Sequence, residues 1–264
     1  MHRPNLVKRF VNMKLIAHRG SSEYFPENTI AAFDHALELG FNFLELDIHL
    51  TLDNVLIVMH DSEVDRTSDG SGPINQMSLQ QIKNLDAGSW FEGPVVLNEI
   101  QRVPTLEEIL QRYSNQAHIH IEIKSGEDIL PSILHKMLLD TNWISEGVIS
   151  NPSNVPGVSI LSFDQDQLIR TKAVMPEVSH GLLVVEATDR DIEFCSLNGF
   201  EGLFPHVRTV SKNFIDMATD RGLYVGVWGV ENKQDLEKVY SMGVHGVTVN
   251  DLIEASRILD ELKS

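Results

Sequence analysis

The feature that most constrains this chain is a regular alternation of short, β-rich apolar segments with helical patterns. Strand-like segments fall at 14–18, 43–48, 118–123, 158–163, 178–184, 201–204, 223–228 and 244–249. Helical patterns follow at 28–39, 105–112, 128–139, 165–174, 189–197, 212–221, 233–242 and 251–262. The first helix shows how these are read. Pro26-Glu27-Asn28-Thr29 offers cap residues, Ile30, Phe33, Ala36 and Leu37 make an apolar stripe, and Gly40 supplies the stop. About eight such units in succession predict an α/β fold, a (β/α)8 TIM barrel of parallel strands with right-handed crossovers. A length of 264 residues is ordinary for that fold. No repeat or linker divides the chain, so 1–264 reads as one domain.

The rhythm breaks once, between the second strand and the second helix. From about 51 to 103 the chain carries a turn at Thr51-Leu-Asp-Asn54, a short extended return at 55–59 and loop chemistry at Asp69-Gly-Ser-Gly72-Pro73. A short capped helix follows around 78–85. This insertion is expected above the active-site face, as a simple flap or as a segment that touches substrate. Residues 1–13 are basic without the apolar core of a signal peptide, and read as an N-terminal arm.

Charge narrows the partners. With 21 Lys and Arg against 38 Asp and Glu, the net charge is −17. Nucleic acids and anionic membranes reward basic surfaces, so neither is expected as a partner, and no stable membrane association is anticipated. An anionic small molecule could bind only where a cation and local Arg or Lys reverse the field. The single cysteine, Cys195, suits a reducing compartment, and no apolar run approaches the roughly 18 residues of a membrane span. A cytoplasmic protein is the expectation.

Polar groups then interrupt the strands where a barrel places its site. Glu45 and Asp47 lie two apart in Phe43-Leu-Glu45-Leu-Asp47-Ile, so both face one side while Leu44, Leu46 and Ile48 face the other. The same alternation puts Glu122 and Lys124 inward in His120-Ile-Glu122-Ile-Lys124. Three carboxylates on neighbouring strands, with no cysteine among them, describe a hard-cation site for Mg²⁺ or Ca²⁺. A buried salt-bridge network, with Arg19 and Lys124 neutralising the acids, is the competing reading.

Two histidines shift the balance. His18, in Ala17-His18-Arg19-Gly20, and His60, in Val58-Met-His60-Asp61, both stand at strand ends, and a phosphodiester needs one group to take a proton and another to donate one. Arg19 and Lys124 fit a phosphate clamp, and pairing with the acids is compatible with that role. Trp228 offers an apolar wall for an alcohol, or simply packs in the core. His118 and His120 share the inward parity of Glu122 and are expected to fill lower barrel layers or to support the site. His206 would line the mouth or a surface loop. Asn28 and Thr29 are expected as helix caps.

In order, Ala17-His18-Arg19-Gly20, Pro26-Glu27-Asn28-Thr29, Glu45-Leu-Asp47, His60-Asp61, Leu85-Asp86-Ala87-Gly88-Ser89-Trp90-Phe91, Pro104-Thr-Leu-Glu-Glu and Ile121-Glu122-Ile-Lys124 resemble the glycerophosphodiester phosphodiesterase family. The resemblance covers about 14–125 closely and the rest more loosely. It implies a barrel enzyme of lipid and glycerol metabolism that hydrolyses small glycerophosphodiesters, such as glycerophosphocholine or glycerophosphoethanolamine, to glycerol 3-phosphate and an alcohol. It further implies His18 and His60 as the acid–base pair, Glu45, Asp47 and Glu122 as ligands of one divalent cation, and Arg19 and Lys124 as phosphate contacts. The insertion would cap the site and help receive the glycerol.

The mechanism expected is substrate-assisted: the neighbouring glycerol hydroxyl attacks phosphorus, and water opens the resulting cyclic phosphate. Two departures stand out. Gly229 replaces the usual Thr after Trp228, and Val249-Asn250 replaces Thr-Asp on the closing strand. Both are expected opposite the metal cluster, bearing on the released alcohol rather than on catalysis. A lysophospholipase D or sphingomyelinase D type of enzyme and a non-catalytic phosphate-binding barrel are the alternatives.

Overall fold

The structure, a computed structural model, describes residues 13–145 and 151–264. Apart from Met13, the expected N-terminal arm lies outside the described residues. Eight parallel strands close a ring: β1 (Lys14–His18), β2 (Phe43–Leu50), β4 (His118–Ile123), β5 (Gly157–Ser162), β6 (Ser179–Val184), β7 (Gly202–Pro205), β8 (Tyr224–Val227) and β9 (Gly246–Val249). Closure comes from β1, which pairs with β2 on one side and β9 on the other.

Helices follow the strands and form the outer layer: α1 (Ile30–Glu38), α3 (Leu106–Arg112), α4 (Leu130–Asp140), α5 (Gln165–Val174), α6 (Asp189–Asn198), α7 (Lys212–Asp220), α8 (Lys233–Met242) and α9 (Leu252–Lys263). The Thr29 hydroxyl accepts from the Ala32 N–H to start α1, and Thr105 and Glu108 form a reciprocal capping box on α3.

Strand parity carries the organisation. On β2, Leu44, Leu46, Ile48 and Leu50 join the apolar layer under the helices, and on β4 Ile119, Ile121 and Ile123 do the same. Each such fully buried side chain contributes about 1.5–3 kcal/mol of transfer free energy. The alternate residues Glu45, Asp47, His49, His118, His120 and Glu122 therefore turn into the barrel, and all are buried. Register aligns Glu45 with His120 and Asp47 with Glu122 across β2 and β4, and His18 with Glu45 across β1 and β2.

The interior is filled, not open. Leu161, Leu183, Phe204 and Tyr224 form an apolar cluster inside the ring, with Trp228 packed against it. Beside them, His118 bonds through Nδ1 to the Asn154 carbonyl and through Nε2 to the Ser159 hydroxyl. His120 lies between His118 and Phe204, and neither ring nitrogen has a hydrogen-bond partner among the described residues. Burial pushes the His118 imidazole down to about 4 and that of His120 well below its ordinary value, so both stay neutral as packing groups.

Between β2 and α3 the inserted segment forms β3 (Leu56–Val58), antiparallel to β2, then a 3-10 turn (Ile74–Gln76) and α2 (Leu79–Lys83). Ser78 and Gln81 cap α2 reciprocally. Ile57, Met59, Val64, Ile74, Ile82, Ala87 and Val103 give this segment an apolar cluster of its own. The antiparallel turn-back carries β2 to Leu50, two residues beyond the expected end, and sets His60 beside the barrel mouth.

Candidate active site

Glu45 and Asp47 on β2 and Glu122 near the C-terminal end of β4 converge, Glu45 level with the last residue of β1, and one oxygen from each lies within 4.8 Å of the others. Burial raises the Glu45 carboxyl well above the usual range, and the charges of Asp47 and Glu122 add to it. Glu122 rises to about 7 through burial and the Asp47 charge. Asp47 is fully buried, which alone would raise it, yet Arg19 and Lys124 hold it below its ordinary value. Its Oδ1 accepts no hydrogen bond among the described residues. Three buried oxygen donors, two of them destabilised as anions and one with a spare lone pair, fit a hard divalent cation.

The tight turn after β1 supplies the next groups. Arg19 and Gly20 both have positive φ, at 58° and 84°. This bend turns the Arg19 N–H onto both the Glu45 carbonyl and Glu45 Oε2, at 3.0 and 3.1 Å. Arg19 Nη1 donates to Glu27 Oε1 at 2.8 Å, and Nε lies 3.2 Å from Asp47 Oδ2. Arg19 thus pairs with Glu27 and Asp47, not with Glu45 or Glu122 through its side chain. Lys124 Nζ donates to Glu122 Oε1 at 2.7 Å and to His60 Nε2 at 3.0 Å, with Asp47 Oδ1 at 3.6 Å.

His18 and His60 flank the triad. His18 Nε2 is 4.0 Å from Glu45 Oε2, and its Nδ1 is 2.6 Å from Asn250 Oδ1. Burial, with Arg19 beside it, lowers His18 to about 4. His60 Nδ1 is 2.5 Å from Asp61 Oδ1. An ammonium only donates and a carboxylate only accepts, so in this arrangement Nδ1 carries the His60 proton and Nε2 accepts from Lys124. His49 Nε2 holds the His60 carbonyl at 3.0 Å.

Trp228 stands at the mouth, its indole N–H shared between the Val184 and Phe204 carbonyls. Phe163 and His206 meet its ring edge-on at 5.4 and 4.4 Å. His206 therefore lines the mouth. All eight residues singled out as site candidates, His18, Arg19, Glu45, Asp47, His60, Glu122, Lys124 and Trp228, lie at the C-terminal end of the barrel. Cys195 is buried in α6, and burial pushes its thiol up to about 12, as fits an inert side chain.

Two expectations need correction. Asn28 is not the cap of α1: its φ of 59° turns the side chain inward, where Nδ2 donates to Asp47 Oδ2 at 2.8 Å. Asn250 is not opposite the cluster, because closure of β9 onto β1 brings it against His18. Gly229 bears on the mouth by making room: a Cβ there would meet His206 Nε2 at 2.4 Å. Sequence reading also passed over Arg66, whose guanidinium joins Asp61 to Glu27. Arg66 lies in a segment without periodicity, and no local signal marks it. Asn250 was expected to bear on the released alcohol, and its place against His18 could have been read from its position just past a barrel strand.

A closed α/β barrel with a buried carboxylate triad, flanking histidines and two cations at its C-terminal mouth defines an enzyme of the TIM-barrel hydrolase kind. Residues 18–254 match the glycerophosphoryl diester phosphodiesterase family. The chain is 33% identical over 246 residues to a glycerophosphodiester phosphodiesterase of Bacillus subtilis, covering 89% of this chain and 82% of that protein. It is 34% identical over 238 residues to one from Caldanaerobacter subterraneus, covering 90% and 93%. Among solved structures it is similar to a phosphodiesterase from Oleispira antarctica in complex with the product sn-glycerol-3-phosphate, with a TM-score of 0.82, 25% identity and coverage of 94% and 96%. This chain belongs to the glycerophosphoryl diester phosphodiesterase family.

Proposed function

We propose that this enzyme hydrolyses small glycerophosphodiesters, such as glycerophosphocholine or glycerophosphoethanolamine, to glycerol 3-phosphate and the free alcohol by histidine acid–base catalysis. One observation carries this reading: His18 and His60 flank one buried carboxylate triad, His18 against Glu45 and His60 joined to Glu122 through Lys124. Glu45, Asp47 and Glu122 would hold Mg²⁺ or Ca²⁺, which when bound polarises the phosphoryl oxygen and acidifies a nearby hydroxyl.

The partners of the two imidazoles support different roles. His18 faces the neutral amide of Asn250, whereas His60 Nδ1 donates to the carboxylate of Asp61, which orients its ring. His18 Nε2 takes the proton of the glycerol 2-hydroxyl as its oxygen attacks phosphorus in line. The bond to the alcohol breaks, and the leaving oxygen takes the Nε2 proton of His60, which enters this step doubly protonated, with Lys124 Nζ turned from Nε2 onto a phosphate oxygen. Water then attacks the cyclic phosphate, giving its proton to His60, while the 2-oxygen leaves and recovers the proton from His18. The sum is one water consumed, with glycerol 3-phosphate and an alcohol formed. Arg19 and Lys124 bind the phosphate oxygens, and Trp228 with Phe163 beside it supplies an apolar wall for the alcohol.

We read residues 1–264 as one domain with the inserted segment capping the site, and the single cysteine suits the cytoplasm. The test is glycerol 3-phosphate release from glycerophosphocholine and glycerophosphoethanolamine, with and without EDTA, for wild type and His18→Ala. Release that needs the cation and falls by at least about 100-fold in His18→Ala supports the proposal. Absence of cation-dependent release from any glycerophosphodiester returns the site to a binding role. Undiminished turnover of substrates lacking the 2-hydroxyl would refute the cyclic step.

A further inference from the structure

The inserted segment reaches the site through one side chain. Arg66 Nε donates to Asp61 Oδ2 at 2.6 Å and Nη2 to Asp61 Oδ1 at 3.1 Å. On its other edge, Nη1 and Nη2 donate to Glu27 Oε2 and Oε1 at 2.9 and 2.8 Å. Glu27 Oε1 also accepts from Arg19 Nη1 at 2.8 Å, and Asp61 Oδ1 is the atom facing His60 Nδ1 at 2.5 Å. An unbroken chain of charge-assisted hydrogen bonds thus runs Arg19–Glu27–Arg66–Asp61–His60.

Two physical points define what Arg66 can do. Its guanidinium is committed on both edges to carboxylates, so it is not a free phosphate ligand. Arg19 and Arg66 together cancel Glu27 and Asp61, so the cluster adds no net attraction for an anion. What remains is geometry. Asp61 is only partly buried, and a planar two-point clamp fixes its carboxylate where a point charge would leave it free to rotate.

We propose that Arg66 is a positioning residue for His60: by clamping Asp61 against Glu27, it fixes the imidazole with Nδ1 protonated and Nε2 aimed at the leaving oxygen. This rests on the reading of His60 as the proton donor to the departing alcohol. The insertion then completes the proton-donating half of the site, and its own apolar cluster of Ile57, Val64, Ile74 and Ile82 keeps Arg66 in place.

A leaving group that needs no proton separates this from a merely structural role. Single-turnover release of choline from glycerophosphocholine is compared with release of p-nitrophenolate from the p-nitrophenyl ester of glycerol 3-phosphate, using cation-loaded enzyme. Arg66→Met is expected to slow choline release about 10- to 100-fold and p-nitrophenolate release less than about 3-fold. Added guanidinium ion should recover part of the choline rate. In ¹⁵N spectra of the substrate-free enzyme, where Nε2 accepts from Lys124, the His60 ring should lose its single Nδ1–H tautomer. Equal losses on the two substrates, or an unchanged His60 tautomer, would overturn the proposal. Should Arg66→Met fail to fold, Asp61→Asn carries the same comparison, with the same leaving-group contrast expected and equal losses again decisive against it. A wild type that releases neither product removes the proposed function itself, whereas a variant-only failure removes only the role of Arg66.

Discussion

His18 Nδ1 sits 2.6 Å from the side-chain oxygen of Asn250, so the first strand's histidine is oriented by the residue just past the last strand. The contact exists because β9 pairs with β1 to close the barrel. An amide oxygen fixes the ring, with Nδ1 as donor, without adding the charge that a carboxylate would bring.

Asn250→Asp should therefore change the pH dependence. Burial, then the neighbouring Arg19, holds His18 at about 4. The base proposed at His18 works in its neutral form, so its contribution should be present above that value and be lost as pH falls through it. A carboxylate at hydrogen-bond distance favours the imidazolium and raises this value by roughly 1–2 units. The acidic limb of kcat/KM should move upward by that amount in Asn250→Asp, with little change above neutrality. An acidic limb that stays in place would show that His18 is not the group being titrated.

Cation binding should be linked to protons. Burial and the Asp47 charge raise Glu122 to about 7, so below that pH the metal-free carboxyl holds a proton which a cation must displace. Affinity for Mg²⁺ or Ca²⁺ should weaken as pH falls below 7, by up to about tenfold per unit for each displaced proton, and Glu45, whose carboxyl burial also raises, adds to the effect. Calorimetric titrations near pH 6 in buffers of different ionisation enthalpy should show proton release on binding. A pH-independent affinity with no release would mean that Glu122 is already ionised or is not a ligand.

Much of this site was legible because period-two parity is rigid. Once Glu45, Asp47 and Glu122 alternate with aliphatic residues buried under helices, they have nowhere to point but inward. Strand ends announced His18 and Lys124 for the same reason. What escaped depends on backbone geometry or on tertiary path. Asn28 serves Asp47 only because its φ is 59°, and nothing in a cap-like tetrapeptide reveals that. Arg66 arrives from an aperiodic segment whose course is set by packing around Ile57 and Ile74.

Gly20→Ala should be the most damaging single-methyl change near the site. Gly20 has a φ of 84°, and an added Cβ would lie 2.7 Å from the backbone carbon and Cβ of Ala32 on α1. Neither is the end of a flexible side chain, so strain and overlap both apply, with a cost of about 2–4 kcal/mol. The turn also carries the Arg19 N–H that holds Glu45. Thermal unfolding should fall by several degrees and cation affinity should fall with it. A variant of wild-type stability would mean that α1 shifts freely, contrary to its buried Ala32, Phe33 and Ala36.

Gly229→Ala tests the opposite rim. Here too φ is positive, at 77°, but the added Cβ would meet His206 Nε2 at 2.4 Å, a side-chain atom that can move. The His206 ring stands edge-on to Trp228 at 4.4 Å, so displacing it disturbs the aromatic wall proposed to face the alcohol. Stability should drop by about 1–2 kcal/mol from the strained backbone. The cation site is formed by β2 and β4, away from this rim, so cation affinity should be unchanged. KM for glycerophosphocholine should change relative to glycerophosphoethanolamine, because the bulkier trimethylammonium group leans harder on the wall. Measuring both substrates with the variant decides the matter: a proportional change in the two KM values would show that His206 and Trp228 do not contact the released alcohol.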